Sequence, residues 1–233
     1  MRACAGARTA LAAGLAPWLL GGCEVTGPLS ALQPAGPGAA PIAQVWWVMC
    51  AGALALLALM VALGLRATLR RDDAPSRVPT RLFLIGGGLV LPITVLTALL
   101  AWGVGAGHAL LPLASAQPVF VVEVTAQQFA WSAHYPDHPQ ALRELNRIDI
   151  PAGRPVDVRV RTLDVIHGFW VPRLGGKIDA IPGRVNVVRL QADAPGVYRG
   201  VCAEFCGAGH PAMGFAVHAH APEDLALRLG AAP

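Results

Sequence analysis

Two long uncharged runs constrain this chain more than any other feature. Residues 42–65 and 82–107 contain no Asp, Glu, Lys or Arg, and each is long enough to cross a hydrocarbon core of about 30 Å as a helix. Trp46 and Trp47 stand near the start of the first run, where aromatic side chains favour a membrane interface. Residues 66–81 between the runs carry Arg66, Arg70, Arg71, Arg77 and Arg81, partly offset by Asp72 and Asp73. A short positive loop of this kind stays on the cytoplasmic side, so both flanks face outward and the two spans form an antiparallel hairpin. Pro92 falls inside the second span and is tolerable there because neighbouring helices can satisfy the freed backbone group.

The hydrophobic share of 55% and charged share of 14% are too apolar for an ordinary soluble domain and agree with membrane spans. The formal charge of +4 is confined to the first half: residues 119–233 hold eleven acidic and eleven Arg or Lys side chains. The excess is therefore a topology signal, and it excludes a nucleic-acid footprint.

Residues 1–22 open with Arg2 and Arg8, continue with an apolar run over residues 9–20 and end in small residues, the layout of a secretory signal. The end, Leu20-Gly21-Gly22-Cys23, resembles the lipobox of bacterial lipoproteins, which implies lipidation of Cys23. Residues 23–41, rich in Pro, Gly and Ala, read as a flexible exported linker without a fold. Beyond the spans, residues 118–222 change to short Val-rich runs at 119–124, 147–150, 156–160, 185–190 and 215–220, separated by Pro-Gly turn chemistry at 151–153, 182–183 and 195–196. This pattern predicts an all-β sandwich, followed by a C-terminal tail at residues 223–233.

Chemistry concentrates in one stretch, Cys202-Ala203-Glu204-Phe205-Cys206-Gly207-Ala208-Gly209-His210-Pro211-Ala212-Met213. Two thiols, an imidazole and a thioether suit copper. In an exported protein a disulfide between the two cysteines, or a structural zinc, would use the same residues. Neither employs Met213, whereas a copper thiolate site commonly adds a weak axial thioether. A mononuclear blue copper needs one thiolate; two thiolates can bridge a pair of ions, and a second His must then come from upstream. His108, His134, His138, His218 and His220 read as surface residues, with His218 and His220 on a solvated edge strand.

The spacing Cys-x-Glu-x-Cys-Gly-x-x-His-x-x-Met resembles the binuclear copper A motif of cytochrome c oxidase subunit II. So do Val165-Ile166-His167-Gly168-Phe169-Trp170-Val171-Pro172, Lys177-Ile178-Asp179-Ala180-Ile181-Pro182-Gly183-Arg184 and Pro195-Gly196-Val197-Tyr198. The resemblance implies a two-helix transmembrane hairpin followed by an all-β cupredoxin-like sandwich, in a bacterial plasma membrane with the C-terminal domain on the periplasmic side. It implies His167 and His210 as terminal imidazoles on two copper ions, Cys202 and Cys206 as bridging thiolates, Met213 as axial thioether and the Glu204 carbonyl as the last ligand. The Glu204 side chain would reach a magnesium site shared with the haem-bearing subunit I, with Asp179 approaching the same interface.

Implied partners are cytochrome c, subunit I and subunit III. The implied role is to receive electrons singly and pass them to haem, where oxygen is reduced. A copper A subunit of a nitric oxide or nitrous oxide reductase and a membrane-tethered copper chaperone are the competing readings. Two departures stand out. Residues 82–88 offer no carboxylate at the family's usual proton-path mouth, so proton uptake would rely on subunit I. The family's Trp-Tyr-Trp appears as Phe129-Ala130-Trp131, and strand alternation would place Phe129 and Trp131 on one face, where electrons would be received, with Phe129 favoured.

Overall fold

A computed structural model describes residues 25–69, 79–113, 118–141 and 144–230. The secretory signal, Cys23 and most of the Arg-rich loop lie outside the described residues.

Helix α1 spans Ala40–Leu69. The second apolar stretch begins as a π-helix, Leu82–Val90, and continues as α2, Leu91–Ala109. The change of winding has a local cause. Pro92 lacks an N–H and its ring clashes with the carbonyl four residues earlier, so the backbone before it widens, and the Leu91 N–H bonds Gly86, five residues back. Gly86, Gly87 and Gly88 supply the freedom to do so. Among the described residues these are the two helices long and apolar enough to cross a membrane, and their large side chains, such as Leu57, Phe83 and Leu96, are exposed along both. Both extend past the expected ends, 40–69 against 42–65 and 82–109 against 82–107.

The rest is a sandwich of two sheets. One has the order β2-β1-β4-β7, with β1 Phe120–Gln127, β2 Ala130–His134, β4 Val156–Thr162 and β7 Asn186–Leu190. The other has the order β3-β9-β8-β5-β6, with β3 Arg147–Pro151, β5 His167–Trp170, β6 Ile178–Ala180, β8 Gly196–Cys202 and β9 Gly214–His220. Alternation turns Val122, Val124 and Ala126 of β1 and Val156, Val158 and Val160 of β4 inward. They meet Ile148, Ile150, Phe169, Phe215 and Val217 of the other sheet. At the centre Phe169 stacks on Phe215 with centroids 4.7 Å apart, and Trp131 packs edge-on at 5.6 Å from Phe169. A short helix α3, Pro222–Arg228, closes one end through buried Leu225.

Two expectations are corrected here. The segment before α1 is not an unstructured linker: the Ala35 N–H donates to the Arg173 carbonyl at 2.8 Å, the Asp193 N–H donates to the Ala35 carbonyl at 2.9 Å, and Ala39 is buried. The composition that reads as flexible is what allows this contact. A Cβ at Gly36 would sit 1.9 Å from the Gln191 carbonyl oxygen and one at Gly38 2.8 Å from that of Leu174, so only glycine lets the two backbones approach so closely.

The second correction concerns His218 and His220. Strand β9 lies between β3 and β8, so it is an inner strand. The His220 ring is 2.7 Å from the buried carboxylate of Asp149, which also accepts from Arg147 and Arg228, while the Asp149 N–H donates to the Tyr135 hydroxyl at 2.6 Å. Burial alone would raise the Asp149 pKa, but hydrogen bonds from Arg147 and His220 outweigh it and hold the carboxyl below its usual value. A depressed carboxylate stabilises the fold above the unfolded value near about 4 and loses that contribution as pH falls through the folded value. Asp149→Asn is therefore expected to lower stability by about 3 kcal/mol at pH 7. The gap to the parent chain should narrow below pH about 4, as read from denaturant melts at the two pH values.

Candidate metal centre

Strand pairing assembles the donors. Strands β8 and β9 form an antiparallel hairpin, with Val201 opposite Gly214 and the Cys202 N–H bonded to the Met213 carbonyl at 3.1 Å. The ligand-rich stretch is the connection between them, so its first and last donors start side by side. Strand β5 is the next neighbour, with Phe169 opposite Cys202, and this brings His167 to the same end from 35 residues upstream. His210 opens a 3-10 turn, His210–Ala212, that returns the chain to Met213.

Cys202 Sγ lies 3.8 Å from Cys206 Sγ, 3.9 Å from His167 Nδ1 and 3.2 Å from the Glu204 carbonyl oxygen. Cys206 Sγ lies 3.6 Å from both His210 Nδ1 and Met213 Sδ. His167, Cys202, Cys206 and Met213 are buried. The sulfurs are free thiols, nearly twice a disulfide bond length apart. All six predicted donors thus converge, and His167, Cys202 and Cys206 form a group able to hold a metal ion.

Burial, followed by the Cys202 thiol, pushes Cys206 up to about 11. It is a protonated thiol at neutral pH until a cation displaces the proton.

The sequence did not single out Asp164, three residues before His167. Its Oδ1 lies 2.8 Å from His167 Nε2, so the ring presents Nδ1 to the thiols when Nε2 carries the proton. Burial alone would raise the Asp164 pKa, but bonds from the Gln128 N–H, His167, the Val165 N–H and Thr162 hold it far below the carboxylate range. Asp-x-x-His before a ligand-bearing strand is the signal that could have found it.

Glu204 and Asp179 flank one cation. Lys177 Nζ is 2.9 Å from Asp179 Oδ1 and 3.9 Å from Glu204 Oε2, and all three side chains are partly exposed. The two aromatic candidates separate. Trp131 is fully buried, 6.0 Å from the His167 ring between centroids, whereas Phe129 is 38% exposed. The expected shared face fails because Phe129 lies in the turn before β2, outside the strand alternation. Trp131 therefore offers no surface to a docking protein.

Residues 131–220 match the family model described as cytochrome c oxidase subunit II, periplasmic domain. The similarity to the cytochrome c oxidase subunit II family thus lies in residues 131–220. It is 32% identical over 209 residues to the cytochrome c oxidase subunit 2 of Alkalihalophilus pseudofirmus, covering 84% of this chain and 60% of that one. With the cytochrome c oxidase subunit 2 of Thermostichus vulcanus it shares 45% identity over 108 residues, 46% of this chain and 32% of the relative. The chain thus spans less than two thirds of the length of these relatives.

Among solved structures, the periplasmic domain of subunit II of the Bradyrhizobium japonicum cytochrome oxidase is 29% identical with a TM-score of 0.46, covering 49% of this chain and 93% of that one. A chain of a heme-copper terminal oxidase dimer is 26% identical with a TM-score of 0.45, covering 58% and 98%. The matched residues 131–220 follow two helices long and apolar enough to cross a membrane.

Proposed function

We propose that this chain is the electron-receiving subunit of a respiratory cytochrome c oxidase, taking electrons singly from cytochrome c and passing them to haem in subunit I. The observation that carries the reading is the convergence of six donors, two thiols, two imidazoles, a thioether and a carbonyl, at the end of β5, β8 and β9. Zinc in a structural site takes four donors and would leave the Met213 sulfur and the Glu204 carbonyl idle. Both instead point at the thiols. Copper prefers this mixture of soft and borderline donors.

His167 and His210 would hold one copper ion each, Cys202 and Cys206 would bridge them, and Met213 with the Glu204 carbonyl would complete the set. The copper pair would supply a one-electron relay. The chain's own residues do the rest. The aromatic core around Phe169 and Phe215 excludes water, and Asp164 holds the His167 ring. Phe129 offers a surface aromatic above the ligand connection, where a Cβ at Gly209 would sit 2.4 Å from its ring; it is the proposed contact for cytochrome c.

The Glu204 carboxylate lies 3.9 Å from Lys177 Nζ and would reach a magnesium ion at the junction with subunit I; subunit III is a further implied partner. In the membrane, both flanks of the helix hairpin would face the periplasm. Signal cleavage and lipidation at Cys23 complete the proposed maturation.

Copper counting tests the reading. The full chain, purified in detergent and loaded with copper, should bind two ions per chain and give one electron paramagnetic resonance signal shared between them. A count of one ion per chain removes the binuclear assignment.

A further inference from the structure

We infer that Gln128 is a positioning residue that clamps the two arms of the metal centre together. His167 arrives on β5 and Cys206 on the β8–β9 connection, which β5 meets at its start, where Phe169 pairs with Cys202 and the Ala203 N–H donates to the Gly168 carbonyl at 2.8 Å. Gln128, at the turn between β1 and β2, touches both. Its side-chain Nε2 donates to the Cys206 carbonyl at 2.6 Å, and its main-chain N–H donates to Asp164 Oδ2 at 2.7 Å. Asp164 Oδ1 in turn meets His167 Nε2 at 2.8 Å. A continuous path of hydrogen bonds therefore runs from the Cys206 main chain through one glutamine to the ring of the distant histidine.

Two glycines make the contact possible. Gly207 has φ +131°, and a Cβ there would lie 3.1 Å from Gln128 Nε2; at Gly209 it would lie 2.4 Å from the Phe129 ring. Any side chain at Gly209 would lift the turn off the connection. The bond to Asp164 is charge-assisted and thus stronger than a neutral one. The second bond fixes the carbonyl of a residue whose own thiol is a donor, so the orientation of that thiol and of the His167 ring are set together. Outer partners of metal ligands are worth about 10- to 100-fold in metal affinity.

Because this role rests on the copper centre proposed above, the test has a metal-free arm. Gln128→Glu keeps the shape and replaces the donor with an acceptor facing the Cys206 carbonyl; Gln128→Met keeps the length without a donor and stands in where the first variant fails to fold. In the metal-free full chain in detergent, amide hydrogen exchange should quicken about fivefold at residues 203–210 and at 164–169 together, the worth of a lost hydrogen bond in an opening equilibrium.

In the copper-loaded chain, loss of copper to a chelator should quicken at least about tenfold, with a changed visible spectrum at an unchanged copper count. Unaltered exchange in both segments, or faster exchange at 203–210 alone, overturns the clamp. A parent chain that takes up no copper pair overturns the copper reading, while the exchange measurement still decides the clamp.

Discussion

Cys202→Ser and Cys206→Ser are each expected to abolish the shared two-copper signal of the proposed centre and to leave at most one ion per chain. Serine oxygen is hard and stays protonated at neutral pH, so it neither bridges nor delocalises an electron between two ions. The effect is on the metal and not on the fold. Cys202 Sγ sits 3.2 Å from the Glu204 carbonyl, and a serine hydroxyl there keeps a hydrogen-bond acceptor within reach, so the buried polar atom is satisfied. Copper analysis and electron paramagnetic resonance on the purified variants, with circular dichroism matched to the parent chain, check this. Retention of the shared signal in either variant would show that a bridging thiolate is not needed and would remove the proposed ligand set.

Trp131→Ala is expected to cost about 3–5 kcal/mol of stability, the range for emptying a buried aromatic site. The indole is fully buried, with Phe215 5.2 Å, Phe169 5.6 Å and His167 6.0 Å away between centroids. Its loss opens a cavity directly behind a predicted copper ligand, so metal loading should fall with stability. Its Nε1 has no hydrogen-bond partner among the described residues, which makes Trp131→Phe the milder change.

Phe129→Ala should behave oppositely, shifting stability by no more than about 0.5 kcal/mol, as exposed positions do, and slowing cytochrome c oxidation with the copper signal intact. Denaturant melts beside oxidation rates separate the two. A stable Trp131→Ala chain that loads copper normally would contradict the burial, and an unslowed Phe129→Ala chain would place donor docking elsewhere.

The contrast between these aromatics marks a limit of sequence reading. Period-two alternation is a property of strands, and β2 begins one residue after Phe129. Phe129 belongs to a turn, and turns follow no such period. Other strands show why some elements were legible and others hidden. The Val-rich runs anticipated β1, β3, β4, β7 and β9 to within a few residues. Strands β5, β6 and β8 carry no such run. Their sequences His-Gly-Phe-Trp, Ile-Asp-Ala and Gly-Val-Tyr-Arg-Gly-Val-Cys are short or interrupted by glycine. They are strands because neighbours pair with them. Gly200 in β8 is an example, since a Cβ there would lie 2.3 Å from the Phe215 ring; the residue that weakens the strand signal is the one the packing requires.

The sequence by itself determined two helices long and apolar enough to cross a membrane and the β character of the second half, because each depends on residue chemistry or spacing along the chain, while the six proposed donors came from the family resemblance. Uncharged length is counted directly, and a ligand's element is its identity. Tertiary structure alone decided which side chains meet across strands. It turned an apparent linker into a segment packed on the sandwich, through glycines whose missing Cβ atoms matter only where another backbone approaches. It laid His220 against Asp149 on the face of the sheet away from the core, because strand order put β9 beside β3. It also joined Asp164 and Gln128 to the metal centre, since hydrogen bonds between residues 36 and 78 positions apart follow from how the sheets and connections stack and leave no periodic trace along the chain.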